Sequence, residues 1–236
     1  MFHLKYSGRG ISTREIVILV VLTLALIFGA APFYFQQKRD ALRIASANNL
    51  QQWGIALNLY LIENGSRLPE VGMPLEGPVN DRAWYNALPP YISQMPYTEI
   101  VLAERPRPGK ASIWMDPFVD EAKALALGDP FFTYAMNRWL QPKWAEPSYK
   151  IFDLADPSGV IFLTDAASGV PAIKPDEVRL SYTLRDSSEK AAHVLFCDGH
   201  VELVGQAELI PANANDSQQA LGKVNWIPFF QAPPPE

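Results

Sequence analysis

The chain has 236 residues, with 20 Lys and Arg against 25 Asp and Glu and a formal net charge of −5. That balance leaves no basic footprint for nucleic acid, and the single cysteine, Cys197, excludes an intramolecular disulfide. Twenty-one prolines, many between Pro69 and Pro147, predict a loop-rich globular part, and no repeat at solenoid spacing is present.

The first 35 residues come next. A short basic leader with Lys5 and Arg9 ends in Gly10, Glu15 follows, and an uncharged apolar run extends from Ile16 to Phe35. Twenty residues at about 1.5 Å each cross a hydrocarbon core of about 30 Å. A secretory signal would have an apolar region of about 7–15 residues before a small-residue cleavage site. Gly29-Ala30-Ala31 could serve as that site, but the run continues through Phe33, Tyr34 and Phe35, which favours a retained helix. Charge does not orient the span, because Lys38, Arg39 and Arg43 follow it as closely as the leader charges precede it.

The stretch Arg9-Gly10-Ile11-Ser12-Thr13-Arg14-Glu15-Ile16-Val17-Ile18-Leu19 resembles the processing site of type IV pilin-like proteins, including the pseudopilins of type II secretion. The resemblance implies cleavage by prepilin peptidase after Gly10, methylation of Ile11 as the new N-terminus, and Glu15 as the family's glutamate at the fifth mature position. It also places the family's helix-bending proline on Pro32. Where the family usually has Phe this chain has Ile11, and Ser12 and Arg14 stand where apolar residues are usual. A carboxylate at the edge of an apolar span is costly to bury without a positive partner. In the family that partner is the N-terminal amine of a neighbouring subunit; the alternative for Glu15 is a place at the interface, paired with Arg14 or solvated.

From Lys38 to Ile62 the helical period continues, with Ile44, Ala47, Leu50, Gly54, Leu57 and Leu61 on one face and Arg43, Asn48, Gln51, Gln52 and Asn58 on the other. Asn64-Gly65 ends it. A helix from Ile11 to Glu63 would be roughly 80 Å long. The organisation expected is a leader at 1–10, a transmembrane helix at 11–37, its amphipathic extension at 38–65, a globular head at 66–228 and a Pro-rich tail at 229–236.

Within the head, Asp81 to Leu88 reads as a short helix stopped by Pro89-Pro90, and Asp120 to Leu127 as another ending at Gly128. Strand candidates are Phe131–Met136, Tyr149–Leu154, Val160–Thr164, His193–Cys197 and His200–Val204. Asp198-Gly199 between the last two predicts a two-residue hairpin turn. Its register would set Cys197 opposite His200 and Phe196 opposite Val201. Val194, Phe196, Val201 and Leu203 would then form the apolar face toward the long helix, with His193, Leu195, Cys197, His200 and Glu202 on the other. The run from His193 to Glu202 resembles the "VLFxDGHVE" ending of a subgroup of prepilin-like proteins, and Tyr134-Ala135-Met136-Asn137-Arg138 resembles a second mark of that subgroup.

Chemistry is sparse. Cys197 and His200 offer two soft ligands and Asp165 and Asp198 offer oxygens, but no third zinc ligand stands at useful spacing. Pseudopilins of the major class often bind calcium in a C-terminal loop, which makes Asp198 or the turn at Asp165 conceivable oxygen donors; a turn-forming role for Asp198 is the favoured reading. Asp153, Asp156 and Asp165 bracket two strands, yet carboxylates at strand ends are usually solvated turn formers. There is no nucleophile elbow, phosphate loop or metal-binding helix. Trp84, Trp114, Trp139, Trp144 and Trp226 could line a sugar-binding surface or fill a core.

The expected fold class is α+β: a long N-terminal helix, half transmembrane and half amphipathic, packed on a small antiparallel sheet in the pilin-like lollipop. The resemblance implies a non-enzymatic filament subunit in the inner membrane, its head outside the cytoplasm, with prepilin peptidase and other pilin-like subunits as partners and no cofactor. The other reading is a single-pass anchored enzyme or carbohydrate-binding protein that uses the helix as a tether.

Overall fold

The computed structural model describes residues 12–72, 79–107, 109–120, 122, 132–141, 146–166, 170–174, 191–209 and 224–228. The chain divides into two compact units, Met1–Leu42 and Arg43–Glu236.

Helix α1 is continuous over Thr13–Glu63. It runs through Pro32 without a break, although proline removes one intrahelical donor there. Its end is the one the sequence predicts. Asn64 N donates to Tyr60 O at 2.9 Å, Ser66 N to Leu61 O at 2.8 Å, and Gly65 and Ser66 have φ of 61° and 62°. In the second unit the buried side of α1 is Ser46, Leu50, Trp53, Gly54, Ala56, Leu57, Tyr60 and Leu61. Leu50, Gly54, Leu57 and Leu61 are buried as expected, and the stripe widens on one side to Ser46, Trp53, Ala56 and Tyr60. Ile44 is exposed, whereas Trp53 and Tyr60, which sequence reading left out, are core residues.

The expected helix at 81–88 shortens to α2, Trp84–Ala87, and Pro89-Pro90 open a 3-10 turn over Pro89–Ile92. Prolines whose missing N–H falls in a first turn start helical structure as readily as they stop it. The helix expected over 120–127 lies mostly outside the described residues.

Five strands form one sheet: β1 Tyr134–Asn137, β2 Ile161–Asp165, β3 Ala172–Ile173, β4 Ala191–Phe196 and β5 Val201–Gly205, in the order β3-β1-β2-β4-β5. The sheet is mixed, which corrects the antiparallel expectation: β3, not foreseen, runs parallel to β1 with Met136 beside Ala172. Helix α3, Gln206–Leu209, follows β5 directly. The segment 149–154 is no strand; Ile151–Asp153 is a 3-10 turn between two isolated bridge residues, Lys150, which pairs with Arg67, and Leu154.

Two apolar clusters cover the faces of the sheet. One holds Leu50, Trp53 and Leu57 of α1 with Tyr134, Met136, Leu163, Leu195 and Cys197. The other holds Ala135, Ile161, Val194, Phe196 and Val204 with Leu209 and Trp226. Strands buried on both sides lose the apolar–polar alternation that half-exposed strands display. The first cluster is rich in aromatic pairs. Trp53 meets Trp84 at 5.7 Å and Trp114 at 4.9 Å, Trp84 meets Phe132 at 5.4 Å, and Tyr97 meets Phe132 at 5.1 Å, all edge-on. The indole N–H groups are satisfied by loop carbonyls, Trp53 Nε1 by Ile113 O at 3.0 Å and Trp84 Nε1 by Pro171 O at 2.8 Å.

Candidate functional site

Gly10 and Ile11 lie outside the described residues. From Ser12 onward the geometry is defined. Ser12 N donates to Glu15 Oε2 at 2.7 Å and Glu15 N donates to Ser12 Oγ at 3.4 Å. This is a capping box, in which residues three apart satisfy two donors that the first helical turn leaves open. The sequence carries the matching Ser-x-x-Glu pattern, and Ser12, a departure from the family pattern, is half of it. Glu15 is thus held by its own helix rather than by Arg14.

Beyond Glu15, α1 is apolar on every side. The large side chains between Ile16 and Phe35 are each 47% to 74% exposed, so no face of this segment is covered by the chain itself. The one polar side chain in its middle is internally satisfied, Thr23 Oγ1 donating to Leu19 O at 2.8 Å. The segment is long and apolar enough to cross a membrane.

The second predicted element, the hairpin, is present with a different turn. Gly199 N donates to Phe196 O at 3.0 Å and Phe196 N to His200 O at 2.9 Å, so three residues, Cys197, Asp198 and Gly199, turn the chain between the paired Phe196 and His200. Gly199 alone in this turn has a positive φ, 92°, whereas the predicted two-residue turn needs two such residues. The extra residue shifts the register by one: Leu195 faces Val201, Val194 faces Glu202 and His193 faces Leu203. Because side chains alternate, the face of β4 exchanges, while Val201 of β5 keeps the side expected of it. Leu195, Cys197 and Val201 belong with α1, while Val194 and Phe196 belong to the opposite cluster.

Asp198 and Gly199 both lie in the connection between the two strands. Asp198 Oδ1 accepts from His200 N at 3.1 Å and lies 2.6 Å from His200 Nδ1, and the His200 ring stacks on Phe196 at 4.4 Å. The turn rests on α1 where that helix has no side chain. A Cβ on Gly54 would lie 2.6 Å from Gly199 O, and one on Gly199 would lie 2.4 Å from Asn58 Nδ2.

These positions do not assemble a metal centre. Cys197 is buried on the α1 side, its thiol pushed well up by burial and by the Asp198 charge, and His200 pairs with Phe196 rather than with Cys197. Among the described residues no group of three His, Cys, Asp or Glu side chains is placed to hold an ion. The three aspartates serve local roles or are buried. Asp153 Oδ2 accepts from Lys150 N at 3.2 Å, Asp156 Oδ1 accepts from Ser158 Oγ at 2.6 Å, and Asp165 is buried at the end of β2 opposite Tyr134. Tyr134 has its hydroxyl pushed well above the usual tyrosine range, first by burial and then by the Asp116 and Asp165 charges. Trp84, Trp114 and Trp226 are core residues and Trp139 is 42% exposed, so the described tryptophans form no common surface; Trp144 lies outside the described residues. Compared with known protein families, with characterised proteins and with solved structures, the chain matches none.

Proposed function

We propose that the chain is a structural subunit of a pilus-like filament, a pseudopilin that serves protein secretion or adhesion. The observation that carries this reading is the segment from Ile16 to Phe35, apolar and uncovered on all sides, directly behind a carboxylate at its edge. Such a helix needs lipid before assembly and other helices after it. In this reading prepilin peptidase cuts after Gly10 at the inner membrane, Ile11 becomes the methylated N-terminus, and the head stands outside the cytoplasm. On assembly Glu15 exchanges its contact with Ser12 for the amine of a neighbouring subunit, which fixes the axial register of the bundle. What supports this reading is the position of Glu15 on the first turn of α1, where its carboxylate accepts from Ser12 N at 2.7 Å.

The test is intact-mass analysis of protein extracted from membranes of a host with prepilin peptidase, beside a variant with Gly10→Leu. The expected result is a wild-type chain that starts at methylated Ile11 and a variant that keeps its leader. A wild-type chain that retains its first ten residues, or that starts near Pro32, would refute the proposal.

A further inference from the structure

A cleft of about 470 Å³ opens on the head beside the end of α1, bordered by Tyr60, Glu63, Asn64, Asp81, Arg82 and Tyr91. Its size falls within the usual range for small-ligand sites. We infer that this cleft binds a neutral saccharide.

The cleft is built in advance of any ligand. Tyr91 OH donates to Glu63 Oε2 at 2.7 Å, and the Tyr60 and Tyr91 rings meet edge to face at 6.1 Å. Two rings locked in this way form an apolar wall at small entropic cost. Arg82 is fixed by one nitrogen. Its Nε lies 2.9 Å from Glu70 Oε1, and Glu70 Oε2 in turn accepts from Asn80 Nδ2 at 2.9 Å. Glu70 is nearly buried while the Arg82 side chain is 73% exposed, so the guanidinium is anchored from below and keeps its terminal N–H groups for another partner. Among the described residues those terminal nitrogens have no partner, and neither does the Asp81 carboxylate.

Charge decides the ligand class. Glu63 and Asp81 repel an anion brought to Arg82, and Arg82 repels a cation brought to those carboxylates. A neutral molecule with many hydroxyls meets neither penalty, because each hydroxyl donates to Glu63 or Asp81 or accepts from Arg82. Its ring C–H face suits the tyrosine wall. Such a ligand is a sugar unit. The site is independent of filament assembly, and its failure would leave the filament proposal standing.

The test uses the full chain in lipid nanodiscs, since detergents with sugar headgroups would compete. Saturation-transfer NMR and calorimetry are run with cellobiose, maltose and diacetylchitobiose, with glucuronate and arginine as charged comparators. At least one neutral disaccharide is expected to bind saturably, and both Tyr91→Ala and Arg82→Gln should weaken it about ten-fold or more. Because Arg82 also pairs with the nearly buried Glu70, unchanged near-ultraviolet circular dichroism and melting of each variant are required before its binding is compared. No saturable binding by any of the three, equal binding by wild type and both variants, or preferential binding of glucuronate or arginine would each overturn the inference.

Discussion

The contact between Gly54 and the turn at Gly199 makes a quantitative test of how the hairpin is seated. In Gly54→Ala the new Cβ lies 2.6 Å from Gly199 O and 3.0 Å from Leu195 Cδ1. Carbon–oxygen contacts rarely close below about 3.3 Å, so the turn or the helix must give by roughly 0.7 Å. The opposing atom is a backbone oxygen in a turn that is hydrogen-bonded within itself, Gly199 N to Phe196 O at 3.0 Å. Overpacking of this kind costs about 1–3 kcal/mol. Against it stands the helix propensity of alanine, which favours the variant by about 0.5–1 kcal/mol. The clash outweighs the propensity gain by up to about 2.5 kcal/mol, a fall in melting temperature of up to about 10 °C for a domain of this size. The assay is thermal unfolding of the full chain in nanodiscs, followed by tryptophan circular dichroism from the Trp53, Trp84 and Trp114 cluster. Gly29→Ala is the comparison, since its Cβ would meet nothing within 4 Å, and it should leave the head's melting unchanged. A Gly54→Ala variant that melts at or above wild type would refute the close approach.

Gly199→Ala should be worse than Gly54→Ala, because it adds a strained φ of 92° to a clash with Asn58 Nδ2, and the same melting assay ranks the two. Tyr134 and Tyr97 hold their protons more tightly folded than unfolded, chiefly through burial. Their stabilisation is therefore complete below pH of about 10 and lost as pH rises above it, at about 1.4 kcal/mol per pH unit for each group. Alkaline titration followed by tyrosinate absorbance should show these residues ionising only with unfolding, and Tyr134→Phe should reduce the slope of stability against pH. Cys197, buried and with a raised thiol, should resist aromatic disulfide reagents in the native chain and react at once in denaturant; prompt native labelling would contradict its placement. Trp53→Ala, which empties the centre of the aromatic cluster, should cost about 3–5 kcal/mol and abolish most of the near-ultraviolet signal.

The sequence by itself determined the features that depend on local chemistry. Twenty uncharged residues from Ile16 to Phe35 dictate a helix that no aqueous surface suits, and the helical period carries that helix to Glu63, where Asn64-Gly65 ends it. Asp198-Gly199 marked the hairpin, and four of five proposed strands overlap observed ones. The Ser12–Glu15 capping box was equally local and could have been read. What only the tertiary structure decided concerns how elements meet. Hairpin register turned on whether one or two turn residues take positive φ, a choice that Gly199 settles by packing against Asn58 and Gly54 of α1. The face of β4 that meets the helix could not be read from alternation, because both faces are buried. Strand β3 has two residues and exists only through its parallel pairing with β1. Likewise Tyr60, at the end of α1, and Tyr91, after α2, are distant in sequence; the cleft they share exists because the fold of the head sets both beside an arginine held by Glu70.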